Sequence, residues 1–189
     1  MPLDDINGVR LLVEETGSGD PVVLVHGSWD DRSVWTFVES DLAESFRVVS
    51  YDRRGHTGSE DSTEPGSRRD DEDDLAALIE HRDLAPAHLV ANSFGGSIAL
   101  GVLARRPELV RSVSAHEPPL IALVADDPAV AEFIAGVGPV SSLIDRGEPE
   151  AGARLFVEQV LGPGAWEAMS PQDQAAMTAK RAHVRRRGA

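Results

Sequence analysis

One serine in the chain has the neighbours that a nucleophile needs. Ser93 lies between two short apolar runs, in the segment LVANSFGGSIAL that begins at Leu89. Small residues surround it, namely Ala91 before it and Gly95 and Gly96 after it. A sharp turn from a strand into a helix needs such neighbours, and it places the hydroxyl beside the free N–H groups of the helix N-terminus. The segment therefore predicts that Ser93 is a nucleophile and that nearby N–H groups stabilise a developing oxyanion.

Strands and helices alternate on both sides of this turn. Continuous or alternating apolar residues predict strands over residues 9–15, 22–25, 46–51, 87–92 and 109–115. Apolar residues at helical spacing predict helices over residues 33–45, 68–84 and 94–106. Because such alternation favours parallel βαβ units, we predict an α/β fold with a doubly wound, mostly parallel sheet flanked by helices.

The pattern changes after Pro118 and Pro119. Residues 119–182 contain no strand pattern, but Ala-rich helical stretches interrupted by Gly-Val-Gly-Pro, Gly-Glu-Pro and Gly-Pro-Gly. We predict a core over residues 1–118 and a helical cap of three or four short helices over residues 119–182. The last ten residues carry 5 of the 18 basic residues, and residues 183–189 are predicted to form a basic, disordered tail.

Three further segments resemble the α/β-hydrolase superfamily in the same order along the chain. The apolar run that ends in His26-Gly27, followed by Ser28, resembles the strand and oxyanion loop of the family. Residues 51–59, YDRRGHTGS, resemble its D-x-R-G-x-G-x-S segment with one residue offset, and residues 109–113 resemble the strand after the nucleophile helix. The turn around Ser93 resembles the nucleophile elbow of the family, whose pattern is G-x-S-x-G. In this chain the elbow reads A-x-S-x-G, with Ala91 in the place of the first glycine. The resemblance covers about residues 9–120 and includes a cap after Pro118.

The resemblance also implies roles for particular residues. The backbone N–H groups of Ser28 and Phe94 would form the oxyanion hole around a substrate attacked by Ser93. Family members that cleave carbon–halogen bonds or open epoxides carry aspartate at the nucleophile position. Serine there implies hydrolysis of an ester, lactone, thioester or amide through a covalent acyl-enzyme, with a small-molecule acyl substrate and no cofactor.

The partners of the serine are harder to find. In the family an acid and then a histidine follow the serine, and only His116 and His183 follow Ser93 here. His183 lies in the arginine-rich tail, and His116 is expected to open the cap loop. Glu117 is the candidate acid, with a structural role before Pro-Pro as the alternative. We therefore expect a C-terminally truncated chain that lacks the final strands and last helix of the core.

The remaining histidines and the tryptophans have simpler expected roles. We expect His26 to bond to backbone in the oxyanion loop. The other histidines are expected at the surface, namely His56, His81 and His88. The tryptophans are expected in the core, with pocket lining as the alternative, namely Trp29, Trp35 and Trp166.

Composition excludes several classes of protein. The formal net charge of −14, from 32 acidic and 18 basic residues, argues against a nucleic-acid partner, which needs a basic face. The chain has no cysteine, which excludes disulfides and zinc–cysteine sites, and no metal site is expected. We see no signal peptide and no membrane-spanning apolar run, so a cytoplasmic protein without a membrane partner is expected. Gly17-Ser18-Gly19 precedes a strand rather than a helix, which argues against dinucleotide binding.

The sequence thus leaves two functions open. The first is a serine-type hydrolase that acts on a carboxylic ester or related acyl substrate. The alternative is a catalytically impaired fragment or a non-catalytic ligand-binding relative that lacks the triad histidine.

Overall fold

The structure, a computed structural model, describes residues 3–60 and 67–179. The chain divides into two compact units between Pro119 and Leu120. This division lies one residue from the boundary predicted between the core and the cap, whereas the role of the second unit as a cap stays a prediction. The predicted tail, residues 183–189, lies outside the described residues.

The first unit is built on one six-stranded sheet. Its strands are β1 (Leu3–Ile6), β2 (Val9–Gly17), β3 (Asp20–Val25), β4 (Phe46–Tyr51), β5 (Ala87–Asn92) and β6 (Val110–His116). They lie in the order β1-β2-β4-β3-β5-β6. β2 pairs antiparallel with β1 and β4, while β4, β3, β5 and β6 are parallel. The predicted mostly parallel α/β sheet is therefore confirmed.

In the described residues of this unit, three helices and two 3₁₀ turns accompany the sheet. The helices are α1 (Thr36–Ala43), α2 (Arg68–His81) and α3 (Phe94–Arg105), and the 3₁₀ turns are Arg32–Trp35 and Pro107–Leu109. α1 begins later than predicted because the Asp31 carboxylate accepts from the Ser33 N–H and caps a 3₁₀ turn first. α2 ends before residue 84, and Asp83 in the following turn has a φ of 52°. The short strand β1, with sequence LDDI, was not predicted because it has no apolar alternation.

Helices lie on both faces of the central strand β3. Val23 and Val25 on β3 are fully buried in the main core, which also contains residues of α2 and α3. Leu24 on the opposite face packs with Val48 in a smaller cluster beside α1. Strands buried on both faces must be apolar, and the buried part of β3, residues 22–25, contains only valine and leucine. The carboxyl ends of β3, β5 and β6 consequently meet at one edge of the sheet, where the loop after His26 and the turn at Ser93 lie.

The described part of the second unit is helical. It contains a 3₁₀ turn (Ile121–Val124) and helices α4 (Pro128–Asp145), α5 (Pro149–Leu161), α6 (Ala165–Ala168) and α7 (Pro171–Ala179). α4 runs through Gly-Val-Gly-Pro, which the sequence predicted as a break, and it contains Pro139. Packing explains the continuity, because a Cβ on Gly152 of α5 would lie only 3.0 Å from Ile144 of α4. The other two predicted breaks do separate helices.

Candidate active site

Ser93 occupies a strained turn between β5 and α3. Its backbone has φ 47° and ψ −126°, a region that residues other than glycine adopt rarely and at a cost. Two hydrogen bonds hold the turn: the Ser93 N–H donates to the His116 carbonyl at 2.8 Å, and the Gly96 N–H donates to the Ser93 carbonyl at 2.9 Å. The turn therefore stays fixed at the carboxyl end of the parallel strands, with the Ser93 side chain half-buried.

Two glycines let α3 approach the sheet closely. A Cβ on Gly95 would lie 2.3 Å from the Val25 carbonyl oxygen and 2.6 Å from that of His26. A Cβ on Gly96 would lie 2.9 Å from Cβ of Pro118. The first obstacle is backbone, which cannot rotate away. Position 95 therefore excludes any larger residue unless α3 moves off the end of β3.

The loop after β3 lies directly against the nucleophile position. A Cβ on Gly27 would lie 3.2 Å from Cβ of Ser93, so the Gly27–Ser28 peptide is a close neighbour of the turn. Phe94 is the first residue of α3, and N–H groups in a first helical turn have no acceptor within the helix. The structure thus places Ser28 and Phe94 on the two segments that meet at Ser93. Their role as oxyanion donors stays a prediction.

No acid–imidazole pair reaches the hydroxyl of Ser93 in the part of the chain that the structure describes. Among residues 3–60 and 67–179, Ser93 Oγ has no hydrogen-bond partner. His116 Nδ1 lies 4.0 Å from Glu117 Oε2, and both side chains are 78% exposed. The candidate acid Glu117 is thus close to a histidine but exposed, and its role stays a prediction. His183 lies outside the described residues.

A buried arginine that the sequence did not single out lies behind the loop and the elbow. Arg53 follows β4 and is 1% exposed. Its Nη1 lies 3.3 Å from Asp71 Oδ1 on α2, and its Nη2 donates to the Gly27 carbonyl at 2.5 Å. Its guanidinium carbon lies 5.5 Å from the centroid of the Phe94 ring. A buried cation needs an anion and acceptors, which Asp71 and Gly27 supply.

Two buried histidines extend this network. His26 Nδ1 lies 3.0 Å from the Gly27 carbonyl, and His26 Nε2 accepts from the Arg53 backbone N–H at 3.0 Å. His26 thus bonds to backbone, as expected. His56 Nδ1 lies 3.0 Å from the Arg54 carbonyl, and His56 Nε2 lies 3.2 Å from Arg53 Nη2. The prediction of His56 at the surface was wrong, because the residue is 1% exposed and packs edge-on against His26, with the ring centroids 4.8 Å apart.

A carboxylate holds the segment after β4 in place. Asp52 accepts from the backbone N–H groups of Arg32 and Gly58, each at 2.9 Å. Burial raises the pKa of Asp52, and these two donors oppose the rise because they favour the charged form. The side chain thus ties the segment that contains Arg53 to the 3₁₀ turn before α1.

The tryptophans are mostly core residues. Trp29 and Trp166 are buried, and Trp35 packs partly buried against the smaller core cluster. A cavity of about 430 Å³ in the first unit is lined by Trp35, Val90, Ala91, Asn92, Ser114, Ala115 and His116. It adjoins the elbow through Asn92 but does not include the side chain of Ser93. Trp35 therefore lines a cavity beside the elbow, whereas the lining of a substrate pocket by a tryptophan stays a prediction.

The described residues offer neither a metal-binding cluster nor a membrane-spanning helix. Residues 3–60 and 67–179 contain no group of three or more histidine or acidic side chains placed to hold a metal ion. Within the same ranges, no helix has the length and apolar character needed to span a bilayer.

The match to a family model decides the affiliation. Residues 22–188 match the model described as the alpha/beta hydrolase family, which is most of the chain. The chain belongs to the alpha/beta hydrolase family. The predicted resemblance, drawn from the elbow and three further segments, is thereby confirmed.

Individual relatives of this alpha/beta hydrolase include named hydrolases. It is 37% identical over 136 residues to 2-(acetamidomethylene)succinate hydrolase from Mesorhizobium japonicum, covering 70% of this chain and 48% of that protein. It is 33% identical over 121 residues to the uncharacterized hydrolase YraK from Bacillus subtilis, covering 63% of this chain and 45% of that protein. The chain therefore spans less than half the length of these two curated relatives.

Solved structures show the same fold. A thermophilic esterase from Thermogutta terrifontis superimposes with a TM-score of 0.73 at 23% identity, covering 95% of this chain and 65% of that one. An epoxide hydrolase from Bacillus megaterium superimposes with a TM-score of 0.77 at 20% identity, covering 98% of this chain and 71% of that one. At these identities the likeness concerns the fold of this alpha/beta hydrolase and not its substrate.

Proposed function

We propose that Ser93 is the nucleophile of a serine-type hydrolase, which acts on a carboxylic ester or related acyl substrate through an acyl-enzyme. One observation carries the proposal. Ser93 has a positive φ at the junction of a parallel strand and a helix, and Gly27 and Gly95 permit the closest approach of the surrounding backbone. Strain of this kind persists only where the surroundings impose it, and it is concentrated at functional sites.

The proposed reaction has two steps. Ser93 Oγ forms a bond to the carbonyl carbon, the carbonyl π electrons move to oxygen, and the Ser28 and Phe94 N–H groups donate to that oxyanion. When the carbonyl re-forms, the bond to the leaving group breaks and the leaving group takes up a proton. Water then attacks the acyl-enzyme and releases the acid, which restores the Ser93 hydroxyl. The helical unit after Pro119 would act as the cap that selects the substrate.

The mechanism also requires a general base for the Ser93 hydroxyl. The Ser93 proton must pass to an acceptor as the new bond forms, and Ser93 Oγ has no such partner in residues 3–60 and 67–179. Glu117, with His116 beside it, is retained as the candidate acid of this proposal. The carbonyl of His116 accepts from the Ser93 N–H, so the start of this pair is tied to the elbow even though its side chains are exposed.

The test separates attack by Ser93 from the supply of a base. The parent chain is incubated with a fluorophosphonate probe and with p-nitrophenyl acetate, with and without added imidazole. We expect labelling at Ser93 and, above the hydrolysis that imidazole alone gives without protein, ester hydrolysis that rises with imidazole concentration, because free imidazole can take the proton. Ser93→Ala should abolish labelling and lower hydrolysis to the protein-free rate at the same imidazole concentration. Ser40→Ala, an exposed serine on α1, should change neither, whereas equal hydrolysis by Ser93→Ala and the parent would refute the proposal.

A second candidate is a ligand-binding relative without turnover. The observation that favours it is the missing hydrogen-bond partner of the Ser93 hydroxyl in the described residues. This candidate predicts no labelling of Ser93 at any imidazole concentration, in a chain that still gives a cooperative unfolding transition. Labelling of Ser93 that imidazole accelerates would exclude it.

A further inference from the structure

Arg53 contacts both segments from which the oxyanion donors are predicted to come. Its Nη2 donates to the Gly27 carbonyl at 2.5 Å, and its guanidinium carbon lies 5.5 Å from the Phe94 ring centroid. The first contact is to the loop after β3 and the second is to the first residue of α3. One side chain therefore connects the two segments on either side of Ser93.

The bond to the Gly27 carbonyl fixes the direction of the Ser28 N–H. The carbonyl of Gly27 and the N–H of Ser28 belong to one planar, trans peptide unit. The C=O and the N–H therefore point in opposite directions. Arg53 holds the oxygen from the buried side, and His26 Nδ1 also lies 3.0 Å from it. The N–H of Ser28 must consequently point away from Arg53. A cation on the carbonyl also polarises the peptide and strengthens its N–H as a donor.

The contact with Phe94 restrains the other donor. A guanidinium over an aromatic face is attracted by the ring electrons, more strongly where both are shielded from water. Arg53 is buried, so this condition holds on its side of the contact. Because the Phe94 backbone begins α3 directly after Ser93, restraint of its side chain restrains the first turn of the helix.

Arg53 is itself held from three directions. Asp71 on α2 lies 3.3 Å from Nη1, His56 Nε2 lies 3.2 Å from Nη2, and the Arg53 backbone N–H donates to His26. Asp71 and His56 are both buried. The guanidinium is therefore a fixed cation and not a mobile surface charge.

We propose that Arg53 is a positioning residue, which sets the direction of the Ser28 N–H and anchors the first turn of α3 beside Ser93. The proposal rests on the proposed function, because it concerns the donors to the oxyanion formed when Ser93 attacks. Arg53 does not touch the reacting atoms. It acts through the Gly27–Ser28 peptide and the Phe94 ring.

The neighbouring arginine provides a matched control. Arg54 pairs with Asp74 through two bonds, 2.6 Å from Nε to Oδ2 and 2.5 Å from Nη2 to Oδ1, and Asp74 is buried. Arg54→Met therefore also breaks an ion pair with a buried aspartate, and it should lower stability. The contacts to Gly27 and Phe94 belong to Arg53 and would remain.

The experiment compares Arg53→Met, Arg53→Lys and Arg54→Met with the parent chain. Urea unfolding curves give the folded fraction of each chain. The rate of fluorophosphonate labelling at Ser93 is then measured with saturating imidazole, under conditions in which each chain is folded. Loss of one oxyanion donor lowers a rate by about 10²–10³-fold. We expect Arg53→Met to slow labelling at least about 10-fold and Arg53→Lys, which lacks the planar fork, to restore only part of it. Arg54→Met should label at the parental rate, and equal rates for Arg53→Met and Arg54→Met would overturn the proposal.

A second readout does not need catalysis. The amide resonances of Ser28 and Phe94 are followed by ¹H–¹⁵N correlation spectra in the same variants. We expect both to shift in Arg53→Met and to stay in place in Arg54→Met. If the parent chain is never labelled at Ser93, the proposed function fails, and these resonances alone then decide the position of the Ser28 amide. Unmoved resonances in Arg53→Met would overturn the inference. If Arg53→Met does not fold, the same comparison is made with Arg53→Lys.

Discussion

Replacing Gly95 by alanine tests how closely α3 must approach the end of β3. The new Cβ would lie 2.3 Å from the Val25 carbonyl oxygen and 2.6 Å from that of His26, about 1 Å closer than an ordinary carbon–oxygen contact of about 3.3 Å. Overpacking of this kind costs about 3 kcal/mol where the obstacle is backbone. Alanine returns at most about 1 kcal/mol through its helix propensity. We therefore expect Gly95→Ala to lose about 2 kcal/mol of unfolding free energy.

Urea denaturation measures this loss. With an m-value of about 2 kcal/mol/M, a loss of about 2 kcal/mol lowers the urea midpoint by about 1 M. Gly136→Ala on α4 is the control, because its Cβ would lie 2.4 Å from Oε1 of Gln159, and that exposed side chain can rotate away. Its midpoint should be unchanged or slightly higher. Equal midpoints for Gly95→Ala and the parent would refute the argument that the Val25 and His26 carbonyls set the position of α3.

Two further changes test backbone geometry and helix capping. Gly8 and Gly17 have similar φ values of 77° and 73°, but a Cβ meets nothing within 4 Å at Gly8 and lies 2.3 Å from the Phe46 carbonyl oxygen at Gly17. In urea unfolding, Gly8→Ala should lower the unfolding free energy by about 1 kcal/mol, and Gly17→Ala by about 2 kcal/mol more. Equal losses would show that the Phe46 carbonyl does not obstruct a Cβ at position 17. The Ser67 hydroxyl donates to the Asp70 carboxylate and thereby lowers the pKa of that carboxyl. The stability that this bond gives is therefore present above about pH 4, the pKa of an aspartate in the unfolded chain, and is lost as the pH falls through the lower pKa of Asp70 in the folded chain. Ser67→Ala should destabilise by about 1 kcal/mol at pH 7 and by less in urea melts at pH 3, and a loss that grows at pH 3 would reverse the sign of this reasoning.

Local patterns predicted the elbow because its requirements are local. Ala91, Gly95 and Gly96 lie within three residues of Ser93, and a strand-to-helix turn needs small residues at these positions. The predicted parallel sheet likewise follows from apolar runs separated by helices. The sequence places no histidine with a suitable context after Ser93, and the absence of a triad histidine stays a prediction; among residues 3–60 and 67–179 the Ser93 hydroxyl has no hydrogen-bond partner.

The network behind the elbow could not be predicted in the same way. Arg53 and His56 lie in a polar segment and have the composition of a surface loop. They are buried because Asp71, 18 residues along the chain from Arg53, and the Gly27 carbonyl, 26 residues away, supply the charge and the acceptor. α4 shows the same limit, because its packing against Gly152 on the next helix overrides a Gly-Val-Gly-Pro sequence that favours a break.

The hydrogen bonds of buried His26 limit where the proton of Ser93 can go. A carbonyl oxygen only accepts, so His26 Nδ1, 3.0 Å from the Gly27 carbonyl, carries the ring proton, while Nε2 accepts from the Arg53 backbone N–H. A proton added to Nε2 would remove that acceptor and place a second cation beside the buried Arg53. His26 is thus a support of the loop after β3 rather than a carrier of the Ser93 proton. A base for Ser93 must be a group that can take up a proton without breaking the bonds around Arg53.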